Sequence, residues 1–434
     1  MRRALSLDRS PSLDVPLRFF VNVPLFALLA AGVLLWAGPD AFASRWSRAS
    51  LALTHLFTLG ILTSAMTGAL IQILPVATGV HIAHPRMSAT AIHALLTAGT
   101  LTLVSAFLFG VRMLYAVASL LLAGAVLGLL AACAIGFWRY RRKTATGSAD
   151  VLCAVRLSLI ALLVTAVLGA VLAGSPLWPT SFAPTALTQV HVMWGLAGWV
   201  GLLTIGMAYQ LIPMFQVTEL YPQRVTRTLA PLILSLLVLV SASAAAFPKA
   251  ETPLVMVLVC AYVAFAAITL HLLWTRKRAQ ADATTLFWRT AMTSLACCGP
   301  LSVVQIERGD PACAVTLGVV CLFGVAWSSV NGMLYKIVPF LLWYHAQRPL
   351  TGAAMRLAPK VKDMISDRAA SAQFYAHLIA LLLLVAASRW HAFTRVGALA
   401  AGVSAGWLGI NMARALRRYL RVRRDAASIA ADEP

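Results

Sequence analysis

Apolar stretches of roughly 20 residues recur along this whole chain, and each is long enough to cross the ~30 Å hydrocarbon core of a bilayer as a helix. The alternating ~10-residue pattern of an outer-membrane barrel strand is absent. In lipid every backbone N–H and C=O must be satisfied within its own segment, so the runs are read as helices. Composition agrees: 60% of the 434 residues are hydrophobic and only 11% charged, with mean hydropathy +0.83. A soluble domain carries about 25% charged residues, so there is too little polar surface to face water on all sides. The expectation is an all-α polytopic membrane protein of twelve transmembrane helices. They start near Pro16, Ala49, Ser88, Arg112, Asp150, Ala186, Thr226, Thr252, Thr285, Ala312, Ser371 and Phe393. No inserted soluble domain interrupts them, so residues 1–434 are one membrane domain.

The net charge of +21 would suit a nucleic-acid binder, but its distribution argues against one. Basic residues concentrate in alternate loops: Arg139, Arg141, Arg142 and Lys143; Arg276, Lys277 and Arg278; then Arg348, Arg356, Lys360, Lys362 and Arg368. The opposite loops are poorer, and the link GSPLWPTSFAPTA has no Lys or Arg. Such a pattern places the basic loops and both termini in the cytoplasm. The tail RALRRYLRVRRD is expected against anionic lipid headgroups. The N-terminus has no small-residue cleavage site, so the first helix is read as a retained anchor. Seven scattered cysteines form no CxxC pair and read as buried structural thiols.

Three helix ends are alike: GALIQILP (68–75), GMAYQLIP (206–213) and GMLYKIVP (332–339). Each has Gly, then Gln or Lys four residues on, then Pro three further. The prolines lie 138 (213 − 75) and 126 (339 − 213) residues apart, room for four helices per interval. Three tandem four-helix units follow, at about 15–142, 149–278 and 284–418, with 419–434 as a basic, then polar, tail. The Gly admits a neighbouring helix, the Pro ends regular hydrogen bonding at the interface, and Gln or Lys reaches headgroups or free carbonyls.

Ionisable side chains inside a membrane are costly and are functional candidates by default. His55 and His191 lie 13 (68 − 55) and 15 (206 − 191) residues before the repeat Gly, at similar depth near the outer ends of the second and sixth helices. Neutral imidazole suits haem iron and copper. Gly60, Gly195 and Gly198 would leave a flat surface for a macrocycle, lined by Trp194 and Trp199. His93 and His377, expected near the cytoplasmic face, form a second pair. His81 and His84, in GVHIAHP, could chelate a metal there, with His345 on the same side.

The phrases HLFTLGILTSAMTGALIQILP, HVMWGLAGWVGLLTIGMAYQLIPMF and GMLYKIVPFLLWYH resemble subunit I of the haem-copper oxidase superfamily and its NnrS-type relatives. The resemblance implies His55 as a haem ligand and His191 as a copper ligand, a haem of b type, and a bacterial inner membrane. It also implies a redox or respiratory-complex partner protein. The family's tenth helix carries His-x-His and its seventh a His pair, and this chain has neither. A complete oxygen-reducing centre is therefore not expected. Met193 and Cys321 are candidates for a second axial ligand because sulfur can ligate haem iron. The expected role is electron transfer, or nitric oxide, haem or copper handling. The alternatives are a cofactor-free assembly partner, and a metal or small-solute transporter using His93, His377, His81 and His84.

Overall fold

The computed structural model describes residues 6–140, 149–174, 184–350 and 352–432, and they are all-helical. Arg141, Arg142, Lys143 and most of the link after the fifth helix lie outside the described residues. Twelve long helices run through the described chain. They are α1 (Asp14–Ala37), α2 (Arg48–Thr78), α3 (Pro85–Phe109), α4 (Arg112–Tyr140), α5 (Ala149–Gly174) and α6 (Thr185–Gln216). The second half adds α7 (Gln223–Ala246), α8 (Pro248–Trp274), α9 (Ala283–Arg308), α10 (Pro311–Gln347), α11 (Asp367–Ala387) and α12 (Thr394–Asp432). All except α9 are apolar enough, and long enough, to cross a membrane. The chain is thus a multi-pass membrane protein.

Local chemistry sets the helix ends. Ser47, Asp282, Asp310 and Ser366 cap helix starts by accepting backbone N–H bonds. Pro85 and Pro311 sit in first turns, where the missing N–H costs nothing. Gly38, Gly110 and Gly309 close helices at positive φ. At the end carrying the basic loops, the Ser6 N–H donates to the Val76 carbonyl (3.0 Å) and the Tyr344 hydroxyl to the Leu7 carbonyl (2.8 Å). At the opposite end Arg389 pairs with Asp310 (2.7 Å) and Thr316 bonds Ser388 (2.8 Å).

The three motif-bearing helices meet inside the bundle. In α2, 89% of the apolar span lies inside the bundle, against 28% in α8. Helices α2, α6 and α10 converge on a central apolar cavity of about 70 Å³ between Ala65, Met66, Leu203, Met207, Ser329 and Met333. Each contains an eight-residue π-helical stretch: Leu56–Thr63, Trp194–Gly201 and Val320–Trp327. The stretches begin twelve residues before the motif glycine in all three (68 − 56, 206 − 194, 332 − 320). Two glycines per inner helix press against the preceding helix. A Cβ on Gly68, Gly206 or Gly332 would lie 2.9, 2.8 and 2.6 Å from Phe19, Ala154 and Phe287. On Gly60, Gly198 and Gly324 it would lie 2.5, 2.7 and 2.7 Å from Phe26, Ala161 and Ser294.

Two sequence expectations change. Pro339 does not end its helix, which continues to Gln347, because the neighbours around α10 supply packing beyond the proline. Gln72 and Gln210 are buried rather than reaching headgroups. Gln72 donates to Ser10 (2.8 Å), and Lys336 pairs with Asp282 (2.6 Å). The tail is a continuation of α12, which runs 39 residues, about 58 Å at 1.5 Å per residue. Its basic end projects past the ~30 Å core of a bilayer.

Candidate functional site

His55 is the last residue before the π stretch of α2, and His191 stands three residues before that of α6. A π stretch widens the helix and shifts the face presented beyond it, a device found often at functional sites. The two imidazoles come together at the start of these stretches. Their ring centres are 6.4 Å apart and their planes 20° from parallel. The expected pair is therefore a real neighbour pair, built from two helices 136 residues apart in sequence (191 − 55).

Each ring is tied the same way. His55 Nδ1–H donates to the Leu51 carbonyl (2.8 Å), and His191 Nδ1–H donates to the Thr165 carbonyl of α5 (3.1 Å). A carbonyl can only accept, so both rings carry their proton on Nδ1 and keep a lone pair on Nε2. A backbone carbonyl on the far nitrogen is also what orients metal-binding histidines. Phe107 lies 4.9 Å from the His55 ring, and Gly169 leaves the space His191 occupies, since a Cβ there would be 3.0 Å from Cε1.

Two groups could sit between these rings, a bare metal ion and a haem. Metal–nitrogen bonds of about 2 Å place two imidazole ring centres on opposite sides of one metal roughly 6.3 Å apart. The 6.4 Å between the ring centres matches that spacing, with the rings stacked 20° from parallel. The glycine surfaces expected for a macrocycle are occupied. Gly60 is filled by Phe26, Gly198 by Ala161 and Gly195 by Thr165. Trp194 and Trp199 are buried and bonded elsewhere, to Ser241 (2.9 Å) and Thr63 (3.1 Å). These residues were needed to lock helices together, which their spacing alone did not distinguish from a cofactor slot.

The other candidates go elsewhere. Met193 packs against the hydrophobic core. Cys321 lies on α10 with its thiol against Cys298 of α9. His81 bonds the Gly79 carbonyl (3.2 Å) beside Tyr140, while His84 is exposed with φ +43°, so the HxxH residues do not converge. His93 packs on Phe19 of α1. His377 is fully buried on α11, bonded to Ser328 of α10 (2.8 Å). It sits at mid-helix rather than near an end, because α11 begins four residues earlier than the sequence suggested. Among the described residues no three His, Cys, Asp or Glu side chains gather as a metal site, so His55 and His191 stand as a pair without a third such side chain.

Sequence reading missed the three π stretches and the polar residues around His377. The recurring Gly60, Gly198 and Gly324 were the available signal. No family model matches the chain, and no curated protein matches it.

Proposed function

We propose that this membrane protein holds a metal centre between His55 and His191, and serves electron transfer or nitric oxide, haem or copper handling rather than complete oxygen reduction. The observation that carries the reading is the facing imidazole pair, each ring fixed through Nδ1 and offering Nε2. Imidazole favours copper, zinc and iron. The filled glycine faces weigh toward a bare copper ion; haem b is the second reading, and His55 and His191 would hold it. Bound there, copper or haem iron would supply one-electron chemistry or a ligand site for a small diatomic. The chain's own part is to fix both tautomers, exclude bulk water and hold the rings apart at a set distance.

The wider architecture belongs to the same proposal. Twelve spans in three four-helix units are supported by the matched π stretches and by each motif glycine packing on its preceding helix. The basic loops support cytoplasmic termini in a bacterial inner membrane, with the metal pair toward the outer leaflet and α12 against anionic lipid. A respiratory or redox protein is the proposed partner.

The test is the metal content and absorption spectrum of purified protein. Stoichiometric copper, or a Soret band that changes on reduction, is expected, and either is expected to vanish in His55→Ala and His191→Ala. Wild-type protein with no metal and no chromophore after supplementation would sink the reading.

A further inference from the structure

His377 has a different surrounding from His55 and His191. Its ring stacks on Phe323 (4.7 Å, 9°) and touches Phe287 (5.1 Å) and Trp327 (6.4 Å). Its Nε2 bonds Ser328, and its Nδ1 is buried with no partner. Across α9, α10 and α12, which pack around it, no charged side chain acts on it among the described residues.

Helix directions put more polar groups on the same line. Helices α10 and α11 run in opposite senses. From the Ser328–His377 bond, three residues along α10 reach Asn331 and four residues back along α11 reach Gln373. Both steps go about one turn toward the basic-loop end, about 4.5 and 6 Å. Asn331 and Gln373 are fully buried. Gln373 donates to Ser404 of α12 (2.9 Å), yet its Oε1 has no partner, and neither amide atom of Asn331 has one. One further turn brings Asn411 of α12, which donates to the Tyr335 hydroxyl (3.0 Å) and the Ala369 carbonyl (3.3 Å). The residue after Tyr335 is Lys336, paired with Asp282 at the basic-loop end.

In the other direction, Phe323 and Trp327 form the floor of a cavity of about 140 Å³ between α1, α2, α10 and α12. It is apolar below and becomes polar at Thr54, Ser50 and the exposed Arg45, in the loop at the opposite end.

Buried polar atoms without partners are costly, about 1–3 kcal/mol each, and are normally satisfied by internal water. Four such atoms fall on three side chains of one line here, in a region where lipid offers no alternative partner. We propose that α10, α11 and α12 enclose a hydrated hydrogen-bond file, centred on His377, that passes protons between the basic-loop end of the bundle and the cavity reaching Arg45. Water bridges Asn331, Gln373 and His377. The imidazole takes a proton on one ring nitrogen and releases one from the other, so no net charge is left behind. Phe323 and Trp327 are the apolar constriction that keeps the two halves from forming an open pore.

The test is proton flux into proteoliposomes carrying an internal pH dye, with the potential clamped by potassium and valinomycin. An acid pulse is expected to acidify wild-type vesicles faster than protein-free ones. His377→Phe, which keeps an aromatic ring in the aromatic box, and Asn331→Leu are expected to slow the flux at least about tenfold, as losing a polar step inside a membrane should. The lipid-facing Leu120→Ala is expected to conduct like wild type. Should His377→Phe fail to fold, Asn331→Leu and Gln373→Leu decide the matter. Chelator-treated and metal-loaded protein are expected to conduct alike, which separates this inference from the metal reading. Wild-type flux at the protein-free rate, or unchanged flux in the polar-to-apolar variants, overturns it.

Discussion

The N-terminal parts of α2 and α6 and the middle of α11 each hold a histidine beside a π stretch, but in different surroundings. His55 and His191 are matched: each spends Nδ1 on a main-chain carbonyl and stands 6.4 Å from the other ring. His377 is solitary, boxed by Phe287, Phe323 and Trp327, with Ser328 on Nε2 and nothing on Nδ1. The first arrangement fixes both tautomers and leaves each Nε2 with a lone pair. The second leaves one ring nitrogen buried without a partner. The same helix device, repeated at the same spacing, thus stands beside a paired imidazole in one place and a solitary one in the other. What differs is only what the neighbouring helices present.

Substitutions in the two regions should behave differently. The largest effect is on metal content. His55→Ala or His191→Ala should empty the site, while His377→Ala should leave the metal stoichiometry unchanged; metal loss in His377→Ala would erase the distinction. Next, Asp282→Asn should destabilise the protein by about 2–3 kcal/mol in detergent melts, since it strips a largely buried Lys336 of its partner. Burial alone would raise the Asp282 carboxyl, but Lys336 and the Thr285 N–H outweigh it and hold the group below its ordinary range. A depressed carboxylate stabilises above the free value near 3.9 and loses that contribution as pH falls through the folded value. Wild-type stability should therefore drop on acidification below about pH 4, and Asp282→Asn should flatten that drop.

Glycine substitutions come third. Gly324→Val drives a side chain into Ser294 and should cost about 1–3 kcal/mol, whereas Gly318→Ala, with open space around it, should be neutral or gain about 0.5–1 kcal/mol. Equal effects at the two positions would show that the π-stretch glycines are not clamps. The smallest effect is expected from Lys277→Ala. Its pair with Glu219 is exposed on both sides, so the melting temperature should not move.

Legibility followed the range of the forces involved. The helix starts were readable because lipid imposes length and apolarity residue by residue: Arg112 begins α4 where the sequence put it, and the other starts lie within four residues. The histidine pair was readable because two imidazoles at like depth in related helices are rare. Gly60, Gly195 and Gly198 misled, since a glycine that admits Phe26 or Ala161 looks the same in sequence as one that admits a macrocycle. Gln72 and Lys336 misled for a similar reason: a polar side chain near a helix end reaches either headgroups or a partner such as Asp282, and only the neighbouring helix decides.

Apolar helices, basic loops and three recurrent helix ends could be read along the chain, because hydropathy, charge and Gly–Pro spacing are local and need no partner. That His55 and His191 lie ring to ring, and that His377, Asn331 and Gln373 are buried with unpartnered polar atoms, came from the packing of separate helices. Those are properties of packed pairs of helices, and no single segment carries them.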